Sequence, residues 1–565
     1  MTAAAARGLP EITMSNTPNP VSDTLPSASD ASPGGAIGAT NGQPLPAKGQ
    51  PPGLFLLFIV EMWERFSYYG MRALLVLYLV TSTAGMEGRE PGFNPGRGWA
   101  EGDAYRLYGW YTGLAYLLPV VGGLLADKFL GTHRSMLLGG SVIALGHVVL
   151  AISGLGALEH SALGMSTFIG GLALIIIGTG YFKPCVSVMV GQLYPEGDPR
   201  RDGGFTIFYM GINLGAFICT FVCGTLGEKV GWHWGFGAAA VGMLAGMAVY
   251  LVGRPKFLKG IGEPPANAPN ILPALLVASL VLSAGVAWLF HVGFFGRLGG
   301  WVSGVLANQT AQVAVPLGVT ALVVGVVGWF VAIQKPGDKG PVACIFIFML
   351  FNAFFWLAFE QAGSTLNVFA FERTNRVIFG WDMPASWFQS VNPFVIITMA
   401  PAFAFLWSAL GRRNLNPSQP VKIGLGLLLL GGGYVFMVIG AKLSESGEAG
   451  EIVRVSMFWL FATYTLHTLG ELCLSPTGLS FVTKAAPVRF VSLLMGVWFI
   501  SSFIANLGGG YIASYVEQIE QGKLFPPILG GRADFFLVFV ISSCGAGLLI
   551  LLLTPLLKRM LHGRG

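Results

Sequence analysis

Seven ionisable side chains of this chain fall where such groups are least stable, inside long apolar runs. They are Glu61, Glu64, Arg65, Arg72, Lys183, Glu360 and Glu471. Charges within hydrocarbon normally line a pathway or a binding cavity. Their types suggest the chemistry. A carboxylate binds and releases a proton, a guanidinium clamps a carboxylate through two parallel hydrogen bonds, and an ammonium offers a point charge. Four carboxylates face three cations, so pairing every cation leaves one carboxylate over, and a buried unpaired carboxylate takes up a proton. Cations on one side of a cavity and carboxylates on the other give opposite poles. Such a site suits a zwitterion, whereas a lipophilic molecule needs neither pole and a simple anion only one.

The elements that position these groups are long helices. The 565 residues are 53% hydrophobic and 11% charged, with mean hydropathy +0.66. Soluble domains carry about 25% charged residues, so the composition predicts an all-α polytopic membrane protein. The 80 glycines fit close helix packing in lipid. The formal charge of +6 gives no reason to expect nucleic acid. Fourteen spans are predicted: 54–83, 104–126, 134–156, 166–192, 203–227, 232–253, 271–293, 312–334, 342–366, 386–410, 421–441, 455–483, 489–516 and 533–557. With the amino terminus inside, seventeen Lys and Arg residues fall on cytoplasmic segments and eleven on the opposite side, which places both termini in the cytoplasm. Residues 1–50 lack apolar periodicity and read as a disordered cytoplasmic tail without the core of a signal peptide.

In the first span, Glu61, Glu64, Arg65, Tyr68 and Arg72 fall within roughly a 100° arc, a polar stripe about 16 Å long. The seventh and eighth spans hold no charge and read as an inserted hairpin. Setting them aside leaves six helices on each side. Every mid-membrane charge then falls on helix 1, 4, 7 or 10 of twelve, as four three-helix repeats around a central cavity would give. This predicts a major facilitator fold: a bundle at 51–254, a linker with two extra helices at 255–340, and a bundle at 341–565. Gly123-Leu-Leu-Ala-Asp127-Lys128, with Gly131 and Arg134, resembles the helix 2–3 motif of that superfamily. The six cysteines lie in apolar segments and read as core residues, and no metal or other cofactor is expected. His147 and His467 read as hydrogen-bonded core residues.

Glu61-xx-Glu64-Arg65-Phe66-x-Tyr68-Tyr69-Gly70 resembles the first signature of the proton-dependent oligopeptide transporter family. The stretch from Phe205 to Phe217 is similar to the second. Phe355-Trp356-xxx-Glu360-Gln361 and Gly470-Glu471-xxx-Ser475-Pro476 are similar to further family motifs, and the likeness runs over roughly 53–560. The resemblance implies roles. Arg65 and Lys183, with Tyr68, Tyr69 and Tyr116, would receive the peptide carboxylate. Asn213, Asn392 and Glu471 would receive its ammonium, with Ser475 nearby, and Trp356 and Trp498 would wall side-chain pockets. Arg72 with Glu360, and Lys183 with Glu471, would be salt bridges that form and break. Glu61, Glu64 and Glu360 would couple transport to protons. Animal members use a histidine on helix 2, but residues 104–126 contain none, so coupling would rest on carboxylates.

The function expected is proton-driven import of di- and tripeptides by alternating access, in a bacterial inner membrane, by a monomer whose partners are peptide, protons and lipid. Nitrate or another small anion is the alternative cargo, although an ammonium pole has no use there. An intramembrane hydrolase would need a nucleophile and a base. His467 and Glu471 lie one turn apart without a Ser-centred turn motif, so enzymatic activity is not expected. A nutrient sensor would share the sequence and differ only in failing to transport.

Overall fold

The computed structural model describes residues 49–83, 94–448 and 451–561. Nearly all of the expected tail lies outside them. The first bundle comprises α1 (Pro52–Val80), α2 (Glu101–Leu125), α3 (Gly131–Ile152), α4 (Ala162–Gln192), α5 (Arg201–Cys219) and α6 (Trp232–Phe257). The linker holds α7 (Leu272–His291), a short α8 (Phe294–Leu306) and α9 (Gln309–Ala332). The second bundle comprises α10 (Pro336–Phe359), α11 (Thr365–Glu372), α12 (Val391–Arg412), α13 (Gln419–Ser444), α14 (Phe458–Ala485), α15 (Val491–Ala513), α16 (Val516–Glu520) and α17 (Arg532–Met560). The chain is a polytopic helical membrane protein.

Fourteen of the described helices have nineteen residues or more, and each overlaps one of the predicted stretches, in order. By length and apolarity alone, eleven stretches qualify to cross a membrane, one of them taking in both α2 and α3. Helix α1 does not qualify, since Glu61, Glu64, Arg65 and Arg72 lower its apolarity. The charges that make the site therefore weaken the helix's own membrane signal.

Three details depart from the expected helices. The span predicted at 342–366 is broken: α10 stops at Phe359, a 3₁₀ turn runs Glu360–Gly363, and α11 resumes at Thr365. Gln361 stabilises the break, since its amide donates to the Gly509 carbonyl at 3.0 Å and its oxygen accepts from Thr365 at 3.0 Å. Helix α5 continues through π-helical turns to Val230. Two-residue strands, Thr374–Asn375 with Val455–Ser456 and Val377–Ile378 with Trp381–Asp382, form small ladders in an otherwise helical chain.

An even number of long helices returns the chain to the face where it began, here called the terminal face, opposite the far face. The joints between the bundles gather towards the far face. Helices α2 and α15 cross through glycines: a Cβ on Gly109 would lie 2.9 Å from the Gly510 Cα, and one on Gly510 would lie 2.6 Å from the Tyr105 carbonyl oxygen. No larger residue allows that approach. Asn367 of α11 donates to the Ala73 carbonyl of α1 at 2.8 Å. Glu228 at the end of α5 reaches across to the turn before α12, accepting from the Ala385 amide at 2.7 Å, the Ser386 amide at 2.8 Å and the Ser386 hydroxyl at 2.6 Å. These contacts shut the site between the bundles from the far face.

The linker helices divide between the bundles. Helix α7 lies on α4, with His291 against Ser166 at 3.2 Å. Phe330 of α9 packs on Phe346 of α10 and on Phe490 just before α15.

Candidate functional site

Helix α1 carries its charged face into the seam between the bundles, and Glu61, Glu64, Arg65 and Arg72 are all buried. Spacing of three and four residues places their side chains one above another. Arg65 Nε donates to Glu61 at 2.7 Å and lies 3.1 Å from Glu64. One guanidinium is thus shared by two carboxylates, and the Glu64 oxygens accept no hydrogen bond among the described residues.

One helical stretch further along, Arg72 crosses the seam to an ion pair with Glu360. Its Nε donates to the Tyr108 hydroxyl at 2.6 Å, and its guanidinium lies 5.7 Å from the ring centres of both Tyr69 and Tyr108. The break after Phe359 is what turns Glu360 towards Arg72. Gly363 is required in that turn, because a Cβ there would lie 2.0 Å from the Tyr108 hydroxyl oxygen and 3.1 Å from Arg72 Nε.

Lys183 of α4 has no carboxylate partner among the described residues. Its ammonium sits 3.7 Å from the centre of the Tyr116 ring, a cation–π contact. The expected pairing with Glu471 is absent in this conformation. Glu471 of α14 is buried and held by a neutral donor instead, Asn392 Nδ2 at 2.8 Å, which also reaches Thr468 at 3.1 Å. Asn213 donates to the Tyr209 carbonyl at 3.0 Å, within its own helix. Tyr68 packs between Tyr69 and Tyr111, with ring centres 5.2 and 6.2 Å away.

Trp356 donates to Asn352 at 3.2 Å and stands edge-on to Phe355 and Phe359. Trp498 and Asn352, with Phe348, Gln419, Ile423, Leu474 and Phe481, line a small cavity of about 10 Å³, room for roughly one water. The side chain of Ser475 lies outside what the structure describes.

Sequence reasoning missed Tyr108, Asn352 and Thr468, and gave Gln361 no role of its own. The partners of Tyr108, Thr468 and Gln361 lie on other helices, which spacing within one helix does not reveal. Asn352 meets Trp356 one turn along its own helix, a pairing that the spacing did offer.

Among the described residues the arrangement has two poles: a lysine on the first bundle without a carboxylate, and a carboxylate on the second without a cation. Between them lie an inter-bundle ion pair and a carboxylate pair sharing one arginine. A model of the POT family matches residues 133–526. The chain belongs to that family. It is 36% identical over 537 residues to the peptide transporter YePEPT of Yersinia enterocolitica, covering 92% of this chain and 96% of that one. It is 34% identical over 524 residues to a di-/tripeptide transporter of Lactococcus lactis subsp. cremoris, covering 91% and 97%. A crystal structure of a mutant peptide transporter POT in complex with alafosfalin superposes with a TM-score of 0.70 at 34% identity, covering 91% of this chain and 97% of that one.

Proposed function

We propose that this chain is a proton-coupled symporter that imports di- and tripeptides across a bacterial inner membrane by alternating access, with both termini in the cytoplasm. One observation carries the reading: among the described residues Lys183 lacks a carboxylate partner, while Glu471, on the other bundle, is held by a neutral amide. A peptide supplies what each lacks, a carboxylate for Lys183 and Arg65 and an ammonium for Glu471, Asn392 and Asn213. Family membership and the peptide-transporter names of its relatives support the same substrate class.

Proton coupling falls to the shared-arginine group. While Glu61 and Glu64 are ionised they hold Arg65; protonating one frees the guanidinium to bind the substrate carboxylate bidentately. Glu360 acts in the same way on Arg72, so its protonation loosens the inter-bundle pair. Tyr68, Tyr69 and Tyr116 shape the carboxylate end, and Trp356 and Trp498 wall the side-chain pockets. Ser475 falls in the matching α14 motif. The membrane potential contributes roughly 2.3 kcal/mol per charge per 100 mV, enough to concentrate a peptide many-fold. Nitrate fits less well, because an anion leaves Glu471 unanswered.

Protein in liposomes should accumulate labelled dipeptide when an inward proton gradient is imposed, and Glu61→Gln should lose the gradient dependence. Gradient-driven uptake unchanged in Glu61→Gln would remove that residue from the coupling. Absence of any uptake would favour a sensor.

A further inference from the structure

A second charged cluster lies at the far face and spans the same seam, one to two turns along α2 from Tyr108. Arg532, at the start of α17, grips Glu101 of α2 with both Nη nitrogens at 3.0 Å, and pairs with Glu520 of α16 through Nε. Tyr105 donates to Glu101 at 2.8 Å. On the second bundle, Glu445 accepts from the Arg532 amide at 2.7 Å and from Arg373 at 2.9 Å, and Arg373 lies 3.7 Å from Glu520. The Arg532 side chain is 4% exposed. Glu372, at the rim, is exposed.

We propose that this seam is a proton-binding site, separate from the central carboxylates, that senses acidity at the far face and holds the bundles shut there. The argument is one of charge balance. The second bundle alone sets Arg373 and Arg532 against Glu445 and Glu520, with the exposed Glu372 at the edge of the same cluster. Closing the seam adds Glu101 and sets three half-buried carboxylates around two buried guanidiniums. Glu101 takes both Nη nitrogens of Arg532 and leaves Glu520 only the Nε side, so one cation is shared by two carboxylates and the surplus charge is relieved by a proton. Burial pushes the Glu520 carboxyl up, Arg532 and Arg373 pull it down, and Glu101 and Glu445 add to the rise.

The sign follows from linkage. Glu520 binds its proton more tightly with the seam closed than with it open, so acid favours the closed form. One proton taken up on closing multiplies the closed-to-open ratio by up to about tenfold per pH unit lowered. The site would therefore act as a brake on reopening when the far face is acidic.

The inference rests on the rocking of the bundles proposed above, and one experiment separates the two. Spin labels at Leu155→Cys and Leu524→Cys, both exposed on the far face, report its opening. Measurements are made by pulsed electron resonance in lipid nanodiscs, in a Cys544→Ser background that transports dipeptide, from pH 5 to 8. The short-distance population should rise with acid. Glu520→Gln should give that population at pH 8 already, with the slope reduced by one proton. Glu101→Gln should lose the slope too but favour the long distance, since the ionic contact is gone. Distances that move with pH or peptide, while Glu520→Gln keeps the unaltered slope, overturn the latch alone. Distances fixed under every condition in a transporting protein overturn the rocking as well.

Discussion

Glu228 offers a direct measure of how firmly the far face is closed. Its two oxygens take three hydrogen bonds from the other bundle, one from the Ala385 amide and two from Ser386, and its side chain is 4% exposed. Arg376 lies 3.8 Å away and adds attraction. In Glu228→Gln one of the two accepting oxygens becomes an NH₂ group. If that group faces Ala385, one bond is lost and two amide donors confront each other; if it faces Ser386, the bond from the Ser386 amide is lost and the hydroxyl must turn round to accept. Bonds to a charged group are worth about 1.5–3 kcal/mol each, and the remaining bonds lose their charge assistance. The closed far face should therefore weaken by about 2–3 kcal/mol, roughly a 30- to 150-fold shift towards opening. Hydrogen exchange at Ala385 and Ser386, followed by mass spectrometry, reads this directly, because both amides are protected only while the bundles meet. Their protection should fall by the same factor while amides in the middle of α13 stay unchanged. A fall of less than about threefold would mean that Glu228 does not hold the bundles together.

Tyr108→Phe removes the hydroxyl that receives Arg72 Nε at 2.6 Å. The cost should be about 1.5–3 kcal/mol, seen as a peptide uptake rate reduced roughly tenfold or more with expression unchanged. Gly363→Ala puts a methyl 2.0 Å from the Tyr108 oxygen, and the resulting overpacking should cost about 1–3 kcal/mol, lowering the melting temperature in detergent by several degrees. Asn392→Ala strips Glu471 of its 2.8 Å donor, so competition by free-amine dipeptides should change while competition by N-acetylated dipeptides stays as weak as before.

The fold was legible because each long helix is also a long apolar run, and the lipid requirement leaves few alternatives. Helix α1 shows the limit. Its type could be read, but its charges make sense only beside Lys183, Glu360 and Glu471, which lie 111 or more residues away. The Arg72–Glu360 partnership came from family likeness and is present as an ion pair. That of Lys183 with Glu471 also came from likeness, and here those residues instead rest on Tyr116 and Asn392. Sequence reports which groups can meet, whereas the conformation decides which of them do. The bend at Glu360 was not legible, because Gln361 stabilises it through Gly509, 148 residues on. The far-face clusters were invisible for a related reason: Glu101, Glu228 and Arg532 sit at helix ends, where charges ordinarily face water.

The division of the linker has a consequence for how the polypeptide can be built. Helix α7 belongs by its packing to the first bundle and α9 lies against the second, with only the exposed α8 between them. Cutting the gene within α8 would produce two fragments of seven long helices each, with α7 still beside α4 and α9 still beside α10. The new ends would both emerge at the far face. Co-expressed, the fragments would have to find each other through the α2–α15 glycine crossing and the Glu101–Arg532 grip. Recovery of a working transporter from the two pieces would then measure the strength of that seam without a covalent bond to help it.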